Sequence, residues 1–128
     1  MTRYNDRREF TRVGVQLDGK LSWQESAVQV ESRDVSMKGV FLACDNPPPV
    51  GTDCRIKFAL GEPESQLGID ILGKIVRVDE RGVGVEFIEI LGLRSYDHLR
   101  NLVLYNSSDN TEQVEQEFSS HLGIKRRV

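Results

Sequence analysis

Apolar and polar positions alternate through the first two thirds of the chain, which predicts short β-strands. The alternation begins over residues 13–17 and resumes at Leu21 and Trp23, after a turn that we predict at Asp18-Gly19. Five further segments alternate in the same way or form a short apolar run, and they cover residues 28–35, 40–42, 54–60, 69–78 and 83–87. Six short strands separated by turn signals at intervals of about ten residues are typical of a small antiparallel barrel or sandwich.

The fifth of these segments is irregular. Its alternation shifts by one position around Gly73, where a bulge or a sharp bend is therefore expected. The prolines at positions 47–49, together with Gly51, predict a loop between the third and fourth strands. We therefore expect a barrel over residues 13–89 that contains one proline-rich loop and one bent strand.

The hydrophobic period changes after Glu89. Apolar residues recur at steps of three and four from Leu93 to Val103, which predicts an amphipathic helix over about residues 93–105. Its apolar side is expected to cover an open end of the barrel. Apolar residues four positions apart predict a second, more exposed helix over about residues 112–122, within a C-terminal extension of residues 106–128 that belongs to the same domain.

Length and overall charge exclude several classes of protein. A chain of 128 residues is the size of one domain. It has 17 basic and 20 acidic residues, and the resulting net charge of −3 argues against binding of long nucleic acid. The longest apolar run, residues 40–44, has five residues, far short of the roughly 20 that a membrane span needs. The polar N-terminus does not resemble a secretory signal, so we expect a cytoplasmic protein.

The spacing of the metal-ligating residue types predicts no metal site. Cys44 and Cys54 do not form a CxxC pair, and His98 and His121 lie far from both in the sequence. We interpret the cysteines as small apolar residues of the core.

The charge is unevenly distributed along the chain. Residues 1–12 contain four arginines and two acidic residues, so they carry a net charge of +2, and the other residues carry −5. The segment shows no apolar periodicity, which predicts a flexible arm before the barrel.

Motifs of the common enzyme classes are absent, and two short clusters remain as candidates for function. The first, Arg7 to Arg12, has the sequence RREFTR and places two arginines four positions apart before the first strand. The second, Asp34 to Gly39, has the sequence DVSMKG and connects two strands. Taken singly, the first is explained as a solvated chain end, and the second as turn chemistry in which side chains bond their own backbone.

Together the two clusters resemble the two signature motifs of the PilZ domain, the bacterial receptor domain for cyclic di-GMP. Arg8 and Arg12 match its RxxxR motif, and Asp34, Ser36 and Gly39 match its DxSxxG motif. The family pattern also includes the segments at residues 40–42, 82–87 and 93–105. The resemblance implies a mainly β fold, a six-stranded antiparallel PilZ-type barrel with a flexible N-terminal arginine arm and one or two C-terminal helices. The chain is also similar to small stand-alone PilZ proteins that carry an extra C-terminal helix.

The resemblance implies that both motifs bind cyclic di-GMP, which carries two guanines and two phosphates. Arginine suits this ligand because its fork forms paired hydrogen bonds with a guanine edge or a phosphate, and its plane stacks on a base. Arg8 and Arg12 would contact guanine edges and phosphates, and the Asp34 carboxylate would accept hydrogen bonds from guanine. Ser36 and Gly39 would complete the barrel wall under the other guanine, where Gly39 lets the ligand approach the backbone closely.

Three further arginines are candidate ligand-binding residues. Arg7 directly precedes the first motif, at a position that in the family influences whether one ligand or a stacked pair binds, and an arginine there favours the pair. Arg33 lies next to Asp34, where it could equally be a solvated strand residue. Arg77 lies on the late strand where some relatives place a stacking aromatic.

The resulting hypothesis is a non-catalytic receptor that needs no cofactor and binds cyclic di-GMP as its ligand. Binding would order the arm and present a new surface to an unidentified effector protein, with the receptor a monomer or weak dimer. The alternative is a PilZ-fold interaction adaptor that binds no nucleotide. A barrel for single-stranded nucleic acid is disfavoured because few aromatic residues are interleaved with basic ones.

Overall fold

Six antiparallel strands close into a barrel in the computed structural model, which describes residues 12–60, 67–106 and 125–127. The strands are β1 (Asp18–Trp23), β2 (Ser26–Val35), β3 (Gly39–Ala43), β4 (Asp53–Leu60), β5 (Leu67–Asp79) and β6 (Gly82–Leu91). They are followed by helix α1 (Leu93–Asn106) and a short strand β7 (Lys125–Arg127). The strand order is β3-β2-β1-β4-β5-β6-β7, and pairing of β3 with β6 closes the barrel. The predicted fold class is confirmed.

The core is built from the inward positions of the alternating strands. In β4 the buried residues are Cys54, Ile56 and Phe58, and the residues between them are exposed, as the period-two pattern predicts. Burial, followed by the charge of the adjacent Asp53, raises the pKa of the Cys54 thiol to about 12, so this thiol stays protonated at neutral pH.

Helix α1 belongs to the same core. Leu99 and Val103 are buried in the hydrophobic cluster that the strands form, and the helix packs against β5 and β6. Two polar contacts fix it to β5. The His98 Nδ1 donates to the Gly68 carbonyl at 2.7 Å, and the Ser95 hydroxyl accepts from the Asp70 amide at 3.0 Å. The helix predicted over residues 93–105 is therefore confirmed.

The turn predicted at Asp18-Gly19 is wrong, because both residues lie in β1 and pair with β2. The turn that follows β1 is at Gln24-Glu25, where Gln24 has a φ of 50°. The alternating residues 13–17 form no regular strand, although they lie alongside β2. The buried Ser32 hydroxyl donates to the Val15 carbonyl at 2.5 Å and accepts from the Leu17 amide at 2.8 Å. The Ser32 side chain thus replaces part of the backbone hydrogen bonding that would join two regular strands there.

The irregularity predicted at Gly73 is confirmed as a register shift between β5 and β6. Leu72 pairs with Glu89 and Gly73 with Phe87, so Ile88 is an additional residue on β6. A second shift lies between Ile75 and Arg77 and leaves Val76 as an additional residue on β5. The two additional residues are 43% and 49% exposed, because a bulge turns a side chain out of the regular alternation.

The C-terminal part differs from the sequence-based expectation. Strand β7 was not predicted, and among the strands of the described residues it alone pairs in parallel, joining the end of β6. The helix predicted over residues 112–122 lies outside the described residues, as do residues 1–11 of the arm. None of the described helices is long and apolar enough to cross a membrane.

Candidate functional site

An isolated β-bridge brings the end of the predicted arm onto the barrel. Val13 and Val35 exchange backbone hydrogen bonds of 2.8 and 2.9 Å, and Val13 is buried. The preceding residue, Arg12, donates through Nη1 to the Asp34 carboxylate at 2.5 Å. The side chains of this ion pair are 52% and 39% exposed, so both charged groups remain accessible to a ligand. The ion pair that the bridge positions thus joins one residue of each predicted motif.

A β-bulge orients Asp34 toward the outside of the barrel. Ser32 pairs with Leu42 and Asp34 pairs with Phe41, which leaves Arg33 as an additional residue on β2. Without the bulge, regular alternation after the buried Ser32 would point Asp34 into the core. The bulge also leaves Arg33 exposed beside the ion pair.

The rest of the second motif forms a tight turn between β2 and β3. The buried Ser36 hydroxyl accepts hydrogen bonds from the amides of Lys38 at 3.1 Å and Gly39 at 3.2 Å. The Ser36 amide donates to the Gly39 carbonyl at 2.9 Å. Ser36 therefore holds the turn together, as a serine side chain commonly does in a short connection between strands.

Gly39 is required by the approach of another strand. A Cβ at this position would lie 2.6 Å from the Val85 carbonyl oxygen, closer than any side chain tolerates. Gly39 pairs with Glu86 where β3 meets β6, the contact that closes the barrel. Together Ser36 and Gly39 fix the position of Asp34 relative to β3 and β6.

Four residues form a row on the outer face, each on a different strand. Asp34 pairs with Phe41, Phe41 pairs with Gly84, and Gly84 pairs with Arg77. The strand spacing makes this row about 14 Å long. The Arg77 guanidinium lies over the Phe41 ring at 4.8 Å from its centroid, and Gly84 leaves room for that contact. We call Asp34, Phe41, Gly84 and Arg77 the outer row.

The outer row combines groups suited to a flat anionic ligand. Arg12 is at one end and Arg77 is at the other, with a carboxylate acceptor and an aromatic ring between them. The Arg77 Nε lies 3.5 Å from an oxygen of Asp79. The hydrogen bond from the Arg81 amide, followed by the charge of Arg77, lowers the pKa of the Asp79 carboxyl group. Such a surface can pair with phosphates, bond guanine edges and stack bases.

The structure brings together several of the sequence-predicted residues. Arg12, Asp34, Arg33 and the turn of Ser36 and Gly39 lie at one end of the outer row. Arg77 lies at its other end. Arg7 and Arg8 lie outside the described residues, so their predicted contacts stay predictions.

Sequence reasoning missed two residues that shape this surface. Phe41 was assigned to a short apolar strand, although its position between the buried Val40 and Leu42 places it on the outer face. The alternation of buried and outward positions along residues 40–42 could have been predicted from the sequence. Ser32 gave no such signal, because nothing local marks a serine that anchors a segment 15 residues away.

A second concave region lies between β4, β5 and α1. This shallow cavity has a volume of about 290 Å³, and its lining includes Lys57, Asp70, Arg94, Ser95 and His98. Ser95 and His98 already bond the β5 backbone there, so these groups serve the packing of α1. Among the described residues, no group of three or more His, Cys, Asp or Glu side chains could hold a metal ion.

Comparison with known proteins identifies the family of the chain. The PilZ domain model matches residues 6–105, which include both motifs, the barrel and most of α1. The structure of the Bacillus subtilis inhibitor of motility (MotI/DgrA) is similar, with a TM-score of 0.61 and 18% sequence identity over 91% of this chain and 53% of that one. This chain therefore spans about half the length of that neighbour. No curated protein matches the chain. The match over most of its length shows that the chain belongs to the PilZ domain family.

Proposed function

We propose that this protein is a receptor for cyclic di-GMP that binds the ligand along the outer row and does not catalyse a reaction. The placement of Arg12 on Asp34 carries the proposal. These residues come from the two family motifs, 22 positions apart, and meet on an accessible surface beside the Ser36–Gly39 turn. Membership of a family whose domains are generally non-catalytic supports the same conclusion.

The ligand would replace the Arg12–Asp34 ion pair by bonds of its own. The Arg12 guanidinium would bond a phosphate or a guanine edge, and the released Asp34 carboxylate would accept from guanine N–H donors. The pair is half-exposed, so opening it costs little, since surface ion pairs contribute about 0–1 kcal/mol. The exchange is favourable because both charged groups gain directed partners.

The other end of the row would stack a base. Phe41 offers a flat apolar surface and Arg77 a planar cation, and either group stacks on guanine. In this proposal Arg77 takes the position of the stacking aromatic of some relatives. The Arg77 guanidinium already lies over the Phe41 ring above Gly84, so a base would stack on the outer face of Arg77 or replace Arg77 on Phe41.

The arginines before Val13 would complete the site. Arg8 is one RxxxR step from Arg12, and Arg7 precedes it, so both could close over a ligand on the outer row. Their charge opposes that of the ligand, and Arg7 favours a stacked ligand pair. Ordering of this segment would give an effector protein in the cytoplasm a surface to recognise, with the receptor a monomer or weak dimer.

Calorimetric titration with cyclic di-GMP tests the proposal. We expect binding of micromolar affinity or tighter for the wild-type chain. Arg12→Ala should weaken it by about 1–3 kcal/mol, the contribution of one good bidentate guanine contact. An absence of heat at tens of micromolar protein would contradict the proposal and favour the adaptor that binds no nucleotide.

The chain contains a matched control for the loss of a surface arginine. Arg55 forms a bidentate ion pair with Asp70, with distances of 2.8 and 2.7 Å, on the outer face of β4 and β5. Its side chain is 45% exposed, close to the 52% of Arg12. Arg55→Ala should leave the affinity unchanged. An equal loss in both variants would mean that Arg12 acts only through the general charge of the protein.

A further inference from the structure

One edge of β6 changes its partner along its length. From Val83 to Glu86 this edge pairs with β3, and from Glu89 to Leu91 it pairs with β7. The opposite edge of β6 pairs with β5 as far as Ile90. Without β7, the end of β6 would therefore present an unpaired edge beside a completed barrel.

The turn of the second motif determines where this edge begins. The chain enters β3 at Gly39, and the last bond on this side of β6 runs from the Phe87 amide to the Lys38 carbonyl at 2.8 Å. Residues beyond Phe87 extend past the turn, where β3 has no residues to offer. We call residues 88–91 the β6 edge. Exposed strand edges of this kind bind other extended segments through their backbone groups.

The present occupant shows which segment fits this edge. Residues 125–127 have the sequence Lys-Arg-Arg and run parallel to β6, with Lys125 in register with Glu89. Glu86 and Glu89 both lie on the outer side of the strand, so an acidic strand end receives a basic segment. Ile88, which is 43% exposed at the bulge, is an accessible apolar residue next to Glu89.

The contact is small enough to be exchanged. It consists of three residue pairs, and parallel pairing is slightly less stable per residue than antiparallel pairing. Eighteen residues separate it from the end of α1, so the chain does not force the segment onto this edge. A segment supplied by another molecule could form the same backbone bonds.

We propose that the β6 edge is a strand-addition site for an extended, basic segment of a partner protein, and that residues 125–127 occupy it in competition with that partner. The backbone of β6 supplies the affinity, and Glu86 and Glu89 select for lysine and arginine. The proposal does not depend on cyclic di-GMP, because it concerns a different part of β6 and a peptide ligand.

The test uses the full chain and a labelled peptide with the sequence of residues 121–128 as the probe. The variant Lys125→Pro/Arg126→Pro removes the backbone N–H groups of two successive residues. Because alternate residues of a parallel strand donate to the same neighbour, one of the two lost donors forms a bond to β6, and the variant releases the tail. We expect this variant to bind the peptide at least roughly tenfold more tightly than the wild-type chain does. The control Lys125→Arg/Arg126→Lys keeps the charges and donors and should behave as wild type.

Two further measurements establish the site and its selectivity. Adding Glu89→Lys to the proline variant should weaken peptide binding at least roughly tenfold, as should replacing the three basic residues of the peptide by glutamate. Equal affinity of wild type and proline variant, or no binding by the proline variant, would overturn the proposal. So would wild-type dimers that the proline variant does not form, since the tail would then be exchanged between copies of this chain.

Discussion

Each residue of the DxSxxG motif has a different physical role in this chain. Asp34 is the residue that faces outward, and its carboxylate holds Arg12. Ser36 is buried and bonds the backbone of its own turn. Position 39 requires a glycine because the Val85 carbonyl oxygen would collide with a Cβ there, and not because a ligand needs open space. The motif therefore places one outward-facing carboxylate by means of two residues that shape the backbone.

Substitution of Gly39 tests this division of roles. Gly39→Ala would place a Cβ 2.6 Å from the Val85 carbonyl oxygen, so the backbone of β3 or β6 must move. We expect a loss of about 1–3 kcal/mol in the free energy of unfolding, typical of overpacking. Urea denaturation of the variant measures this loss directly.

Gly14→Ala is the control for this substitution. Its Cβ would meet only the Arg33 carbonyl oxygen at 3.9 Å, an ordinary contact, so the free energy of unfolding should change by no more than about 0.5 kcal/mol. If Gly39→Ala were as stable as Gly14→Ala and lost only ligand affinity, Gly39 would serve ligand approach and not barrel closure.

At the scale of elements, helix α1 forms part of the hydrophobic core and does not merely lie on the surface of the barrel. Leu99 is 1% exposed and Val103 is 0% exposed, and both join the cluster formed by the strands. Leu99→Ala should therefore reduce the free energy of unfolding by about 2–5 kcal/mol, the usual cost of such a cavity. Denaturant unfolding of this variant beside Tyr105→Ala, whose side chain is 79% exposed, provides the comparison. Similar small losses in the two variants would mean that the helix packs loosely.

Strand and helix periods were readable from the sequence because each buries one face. The alternation of Cys54, Ile56 and Phe58 predicted β4 correctly, and the shift near Gly73 predicted the bulge. The error at Asp18-Gly19 arose because an Asp-Gly pair is a strong local turn signal, whereas here pairing with both β2 and β4 keeps Gly19 in a strand. Tertiary pairing overrode local preference.

The candidate site was readable from the sequence only in part. Motif spacing identified Asp34 and Arg12, but their direct contact depends on the Val13–Val35 bridge and on a bulge at Arg33. No local sequence pattern predicts the bridge or the bulge. The alignment of Phe41 with Arg77 depends on the registers of three strands, which a single sequence does not specify. Strand β7 was missed because three basic residues give no strand signal of their own.

At the scale of the whole molecule, the structure shows where basic residues lie on the barrel. The chain is acidic overall, with a net charge of −3, yet Arg12 and Arg77 lie at the two ends of the outer row. The arginines at positions 7 and 8 precede Arg12 in the sequence. We therefore expect a small dianion to be attracted to this face, although the net charge of the protein disfavours long nucleic acid.

The most direct test of the account is a two-dimensional amide NMR titration of the full chain with cyclic di-GMP. We predict that the largest shift changes map to Arg12 and to the outer row, from Asp34 through Phe41 and Gly84 to Arg77. The amides that line the cavity between β4, β5 and α1 should change little. Changes concentrated at that cavity, or no changes at tens of micromolar ligand, would contradict the proposed receptor function.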